Sequence, residues 1–186
     1  MKHLGTKIIN TKRLTLRPFT LDDASSMFSN WANDDEVTKY LSWPTHKDIN
    51  ITISILKLWV DSYKYDNFYQ WGIVNNENNE LLGGISIVSI DESIDSVEIG
   101  YCISRKYWNK GITTEALQRV IEFLFDEVKV NRIHARHDVN NIASERVMQK
   151  CGLKYEGTLR DAALTSRNTI CDVKVHSILK KEYKKS

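Results

Sequence analysis

The stretch best equipped for chemistry in this chain runs from Ser104 to Thr114, SRKYWNKGITT. It follows an alternating apolar run and opens a strongly amphipathic tract. Its centre, Asn109-Lys110-Gly111-Ile112-Thr113-Thr114, presents successive backbone N–H groups, one of them on a residue without a Cβ. At a helix start such donors have no intrahelical acceptor, and the helix dipole favours negative charge there. Lys110 and Arg105 add positive charge. The pattern suits an anion. It suits equally a plain strand–loop–helix connection with one turn glycine, and only the surrounding elements decide between the two.

Those elements can be read from periodicity. Ser96–Ser104 alternates as a strand, with Val97, Ile99, Tyr101 and Ile103 on one face and Glu98, Gly100 and Cys102 on the other. After Gly111, the residues Leu117, Val120, Ile121, Leu124, Phe125 and Val128 form one continuous helical stripe. Asn131–Val139 reads as a strand, and Asn141–Lys150 as a short helix stopped by Gly152. The strand–helix–strand unit predicts two parallel neighbours joined by a right-handed crossover.

Ahead of this unit, Arg13–Pro18 alternates as a half-buried strand, and Thr20 is an N-cap followed by acidic residues. Met27, Phe28 and Trp31 would then face inward. A second helical tract, about Asp48 to Tyr63, carries Ile51, Ile55, Leu58 and Trp59 at helical spacing. The polar–aromatic connection between these tracts, DDEVTKYLSWPTHK, is either an acceptor-binding wall, for which it is long enough, or a simple connection. FYQWGIVN and LLGGISIVSI form a hairpin across Asn75–Glu80, and Leu153–Arg160 and Ile170–Leu179 are the last strands. The expected fold class is α+β, a mixed, mostly antiparallel sheet of about seven strands flanked by helices.

Composition narrows the function. The 186 residues suit a single domain spanning 1–186. The 26 Lys+Arg against 24 Asp+Glu leave a net charge of +2, which argues against a broad nucleic-acid face. Cys102, Cys151 and Cys171 are odd in number and far apart, so they read as small buried apolar residues in a reducing cytoplasm. His134 and His137 have no metal-like set of partners in sequence and read as strand surface. No stretch is apolar enough for a signal peptide or a bilayer span.

Three blocks resemble the GNAT acyltransferase superfamily, in particular its ribosomal-protein N-terminal acetyltransferase-like branch. They are VEIGYCISRKYWNKGITTEAL, RIHARHDVNNIASERVMQKCGLKYEGTLRDA with its N-x-x-S…K-x-G pattern, and the closing Asp172-Val173-x-Val175. The resemblance implies a splayed parallel strand pair at an acetyl-CoA site. It puts the pyrophosphate on the N–H groups of Gly111, Ile112, Thr113 and Thr114, and the pantetheine arm along the backbone of Tyr101, Cys102 and Ile103. Asn141 would hold the arm's amide and Ser144 would point at the thioester.

Two departures stand out. Trp108 and Thr113 occupy loop positions where the family has Gln or Arg and Gly or Ala, so Lys110 is the substitute phosphate contact. Met148 stands where many members carry a tyrosine acid, which leaves Ser144 as thiol-side donor. The implied reaction is direct attack of a primary amine on acetyl-CoA in a ternary complex, with no metal and no membrane. Glu98 is the candidate base, acting through water, against a plain strand ion pair. Trp31, Tyr40, Trp43 and Trp71 are core or acceptor pocket. The acceptor is a protein N-terminal α-amine or a small amine such as a polyamine, amino acid or antibiotic. The rival is a CoA-binding module without turnover, and either a monomer or a homodimer is compatible.

Overall fold

A computed structural model describes residues 1–184. One eight-stranded sheet organises the chain: β1 (Ile9–Asn10), β2 (Leu14–Pro18), β3 (Gln70–Asn75), β4 (Leu81–Asp91), β5 (Ser96–Ile103), β6 (Arg132–Asp138), β7 (Lys154–Leu164) and β8 (Ile170–Leu179). The strand order is β1-β2-β3-β4-β5-β6-β8-β7, and β5–β6 is the parallel pair. The strand beyond the expected seven is β1. Its two residues pair with β2 through Ile9↔Leu16, too short a run to show alternation in sequence.

Helices cover both faces. On one lie α4 (Ile112–Phe123), continued by a wider turn over Leu124–Val128, and α5 (Ile142–Lys150). Every residue of the expected α4 stripe is buried, against Val97, Ile99, Trp71 and Ile85 of the sheet. On the other face lie α1 (Ala24–Met27), α2 (Asp35–Thr38) and α3 (Ile49–Ser62), over a smaller core built from Phe19, Trp31, Leu56 and Leu81. Thr20 precedes the first helical turn, and its N–H donates to the Asp23 carboxylate at 2.8 Å.

The inward face of α3 differs from the expected one. Thr52 and Leu56 are buried, whereas Ile51 is 44% and Leu58 62% exposed. This helix carries apolar residues nearly all round, so spacing alone does not pick out a face. Among the uncertain aromatics, Trp31 and Trp71 are core, while Tyr40 and Trp43 stay half-buried in the connection before α3.

The feature that shapes the site is where β5 and β6 part. They pair only over Ser96–Glu98 with Arg132–His134. Beyond that point β5 follows β4 to Ile103, while β6 follows β8 to Asp138. A register shift in β4 between Ile87 and Ser89 sits opposite Ile99 and Glu98, at the level where the parting begins. Such a bulge bends its strand and deepens the local twist.

Candidate active site

The phosphate-type loop is built on two left-handed residues, Asn109 with φ 61° and Gly111 with φ 74°. Gly111 is the N-cap of α4 and brings no side-chain cap, so the first N–H groups of α4 keep their donor capacity. A Cβ at Gly111 would have room, its nearest neighbour being an Arg13 guanidinium nitrogen at 3.6 Å. The backbone conformation, not space, requires glycine here. Ile112 is buried and ties the first helical residue to the core.

Arg13 holds the loop from outside. It donates to the Lys110 carbonyl at 3.1 Å and to the Glu115 carboxylate at 2.6 Å, while Thr11 donates to the same carboxylate at 2.7 Å. The clamp joins residues 97 and 102 positions apart, and no local spacing announces it. Lys12, Arg13, Tyr107 and Lys110 line a cleft of about 440 Å³ beside the loop. Arg105 does not share this task. Its guanidinium lies 3.1 Å from Asp34, the N-cap of α2, so the expected charge at the loop comes from Lys110 and Arg13 instead.

On the α5 side of the gap, Asn141 caps the helix by accepting from the Ser144 N–H at 3.2 Å. This fixes the first turn and uses only the amide oxygen, leaving the NH2 group to donate elsewhere. The Ser144 hydroxyl meets the Tyr101 hydroxyl at 2.9 Å, and the Tyr101 hydroxyl also donates to the Ser144 carbonyl at 3.2 Å. Burial raises the Tyr101 phenol above its ordinary range, so it stays protonated. Tyr101 therefore reaches from β5 across the parted strands to α5. Its sequence signal was its place among Val97, Ile99 and Ile103 on the covered face, where a phenol needs a partner. Met148 is buried at the position lacking a tyrosine acid and has no proton to give.

Glu98 departs from its expected role. Its carboxylate accepts from Arg136 Nε at 2.8 Å, approaches His134 Nε2 at 3.6 Å, and accepts from Ser89 at 3.3 Å. Burial alone would raise this carboxyl, but the nearby His134 ring and the hydrogen bond from Arg136 outweigh it and hold it at about 2. A carboxylate so acidic is a poor proton acceptor from an ammonium. Glu98 is engaged in a strand ion pair, with Arg136 and His134 of β6 as its partners. Glu98→Gln is expected to lower stability by roughly 1–3 kcal/mol, the scale of a hydrogen bond to a charged group. It should lower kcat by less than about tenfold, because loss of a true general base costs about 100- to 10,000-fold. Thermal melts and steady-state rates of the variant check both. The stabilisation is present above the unfolded carboxyl's pKa and lost as pH falls toward about 2.

The other titratable groups are also placed. Burial pushes the Cys102 and Cys151 thiols up to about 12, and Cys171 is raised by burial and by Asp138, so none is a ready thiolate. Cys102 packs against the smaller core though part of the residue stays accessible, and Cys171 is only partly buried, which corrects its assignment to the interior. His137 is not on the strand surface. It is 6% exposed under α5, beside His176 and Glu145. No described helix is long and apolar enough to cross a membrane.

A mixed sheet with one parted parallel pair, a glycine-capped helix after β5 and the Tyr101–Ser144 hydroxyls between β5 and α5 match, together with the relatives below, an acetyl-CoA-dependent acetyltransferase. The family described as the acetyltransferase (GNAT) domain matches residues 13–154, and the chain belongs to it. The uncharacterized N-acetyltransferase p20 of Bacillus licheniformis is 32% identical over 173 residues, 93% of this chain and 96% of that protein. The crystal structure of a GNAT-family acetyltransferase from Bacillus anthracis superposes with TM-score 0.82 at 27% identity, covering 95% of this chain and all of the other. RimL, described as a ribosomal L7/L12 α-N-protein acetyltransferase in complex with coenzyme A, shares the fold with TM-score 0.83. It is 19% identical, over 93% of this chain and 98% of that one.

Proposed function

We propose that the protein transfers an acetyl group from acetyl-CoA to a primary amine by direct attack in a ternary complex, with the α-amine of a protein N-terminus as the favoured acceptor. The observation that carries the reading is the gap between β5 and β6, bordered by the α4 N-terminus on one side and the Tyr101–Ser144 pair on the other. The N–H groups of Gly111, Ile112, Thr113 and Thr114 bind the pyrophosphate, with Lys110 beside them. The freed backbone edge of β5 at Tyr101, Cys102 and Ile103 takes the pantetheine amides, and the Asn141 NH2 donates to the same arm. These are ground-state contacts.

In the reaction the amine nitrogen bonds to the thioester carbon and the C–S bond breaks; one proton passes from nitrogen to water, and one is delivered to sulfur. Ser144 donates to the departing sulfur, and Tyr101, when its one proton turns from the Ser144 carbonyl to the Ser144 hydroxyl oxygen, orients that hydroxyl and can resupply its proton. Tyr101 is thus a positioning residue. With the Glu98 carboxylate engaged by Arg136, the site takes the amine as the free base. An α-amine, near 7.7–8.0, is neutral to roughly a tenth at pH 7, whereas a lysine near 10.4 is neutral to about a thousandth or less. That difference favours an N-terminal acceptor, and the RimL description names an acceptor of the same kind.

The acceptor wall is the connection ahead of α3. There Thr38, Thr45 and Asp35 form a hydrogen-bonded chain, and Trp43 lies 5.3 Å from the His46 ring. Trp43→Ala is expected to raise the acceptor KM more than the acetyl-CoA KM. A folded variant with unchanged acceptor kinetics would return Trp43 to a packing role.

A further inference from the structure

Between α5 and the β6–β8 pair lies a cluster that the transfer reaction does not use. His137 is on β6, His176 on β8 opposite Ala135, and Glu145 on the first turn of α5. The three residues come from three elements and converge. One nitrogen of each histidine and one oxygen of Glu145 all lie within 4.8 Å of one another. His176 is fully buried and His137 nearly so.

The protonation of His137 suits a ligand. Its Nδ1 donates to the Asp138 carbonyl at 2.8 Å, which leaves the lone pair on Nε2. A backbone carbonyl on the far ring nitrogen is the usual support of a metal-bound imidazole. His137 Nε2 and both ring nitrogens of His176 are buried with no hydrogen-bond partner among the described residues. Buried polar atoms without partners are rare in folded proteins and point to something that completes them. Glu145 meanwhile holds the Lys174 ammonium at 3.1 Å from both carboxylate oxygens, a cation where the carboxylate needs one.

We propose that His137, His176 and Glu145 bind a divalent transition-metal ion, zinc above all, with a fourth position open. Two imidazoles and a carboxylate suit zinc, cobalt or nickel rather than calcium or magnesium, which require oxygen-rich shells. Zinc bonds of about 2.0–2.2 Å put neighbouring ligand atoms roughly 3.3 Å apart in a tetrahedron. His176 Nε2 and the Glu145 carboxylate are already 3.8 Å apart. Lys174 must give way as the metal enters, and its partly exposed side chain can turn toward solvent. Glu145 adjoins Ser144, so the ion would pin the helix bearing the proposed sulfur-side donor to the sheet beneath it.

The test is a Co2+ titration of the chelator-treated full chain, read by the visible ligand-field absorption of cobalt bound to nitrogen and oxygen. The wild type is expected to bind saturably, one ion per chain, and to lose the band when Zn2+ is added. Glu145→Gln should weaken Co2+ binding by at least about tenfold, because even outer partners of a metal ligand carry that much affinity. His176→Ala should do the same. Since His176 is fully buried and its removal can disturb folding, Lys174→Met supplies a second variant whose effect has the opposite sign. Removing the competing ammonium should tighten Co2+ binding. Wild type without a saturable band would overturn the proposal. So would a band that Glu145→Gln and Lys174→Met leave equally strong, since it would then arise elsewhere, as at His134 with Glu98 or His3 with Glu92.

Discussion

Ser144→Ala is expected to lower kcat by roughly ten- to a thousand-fold while leaving CoA affinity almost unchanged, the range of one general acid or oxyanion donor. The asymmetry follows from when charge develops. In attack on a thioester, negative charge collects first on the carbonyl oxygen and then on sulfur. A hydroxyl near sulfur acts only as the C–S bond breaks, so its loss appears in the transition state and not in binding. Among the described residues, the Ser144 hydroxyl is held by Tyr101 at 2.9 Å, and Met148 has no proton to offer. Tyr101→Phe should lower kcat by a smaller factor, and the double variant should lose little beyond Ser144→Ala alone, because Tyr101 acts through Ser144. A merely structural tyrosine would add its loss independently. Full kcat in Ser144→Ala would leave protonation of sulfur to water.

The second large effect is expected at the α4 N-terminus. CoA should raise the melting temperature of the wild type, and Gly111→Val should abolish that rise. Valine at φ 74° sits in a region that β-branched residues scarcely enter. The cost is about 1–3 kcal/mol of strain if the loop keeps its shape, and the N–H row is displaced if it relaxes. The variant is therefore also less stable without ligand, and each protein must be compared with itself, with and without CoA. Gly152→Ala is a matched control. Gly152 closes α5 at φ 84°, so alanine there is strained too, but it lies outside the phosphate loop. It should melt lower yet keep its response to CoA. An equal CoA response in a folded Gly111→Val protein would remove the phosphate anchor from the account.

The parts of this fold that were legible in sequence are those with one dominant local signal. The α4 stripe is such a case: a clean apolar face, and a glycine whose left-handed conformation is required where it stands. The glycine that ends α5 at Gly152 is another, since caps act within one turn. What was illegible depends on contacts between elements. Helix α3 carries apolar residues on several faces, and only packing against Phe19 and Trp31 selects Leu56. Arg13, just ahead of β2, reaches Lys110 and Glu115 from about a hundred positions away in sequence. Glu98 looked available as a base because the β5–β6 register, which sets His134 opposite it, is not written in either strand alone. His137 looked like a surface histidine because its covering helix and its neighbour His176 come from elsewhere. A pattern of alternating residues shows that a strand has two faces, but not what lies against each.

The most direct test of the central claim is thiol release from acetyl-CoA by the wild-type protein with two peptides of one sequence. One has a free N-terminal amine, and the other has that amine blocked and a lysine as its only acceptor. The account predicts thiol release and acetylation with the first peptide, and a much slower reaction with the second near pH 7. A protein that is stabilised by CoA yet releases no thiol with these peptides or any amine would contradict it, and would be a CoA-binding module rather than an enzyme.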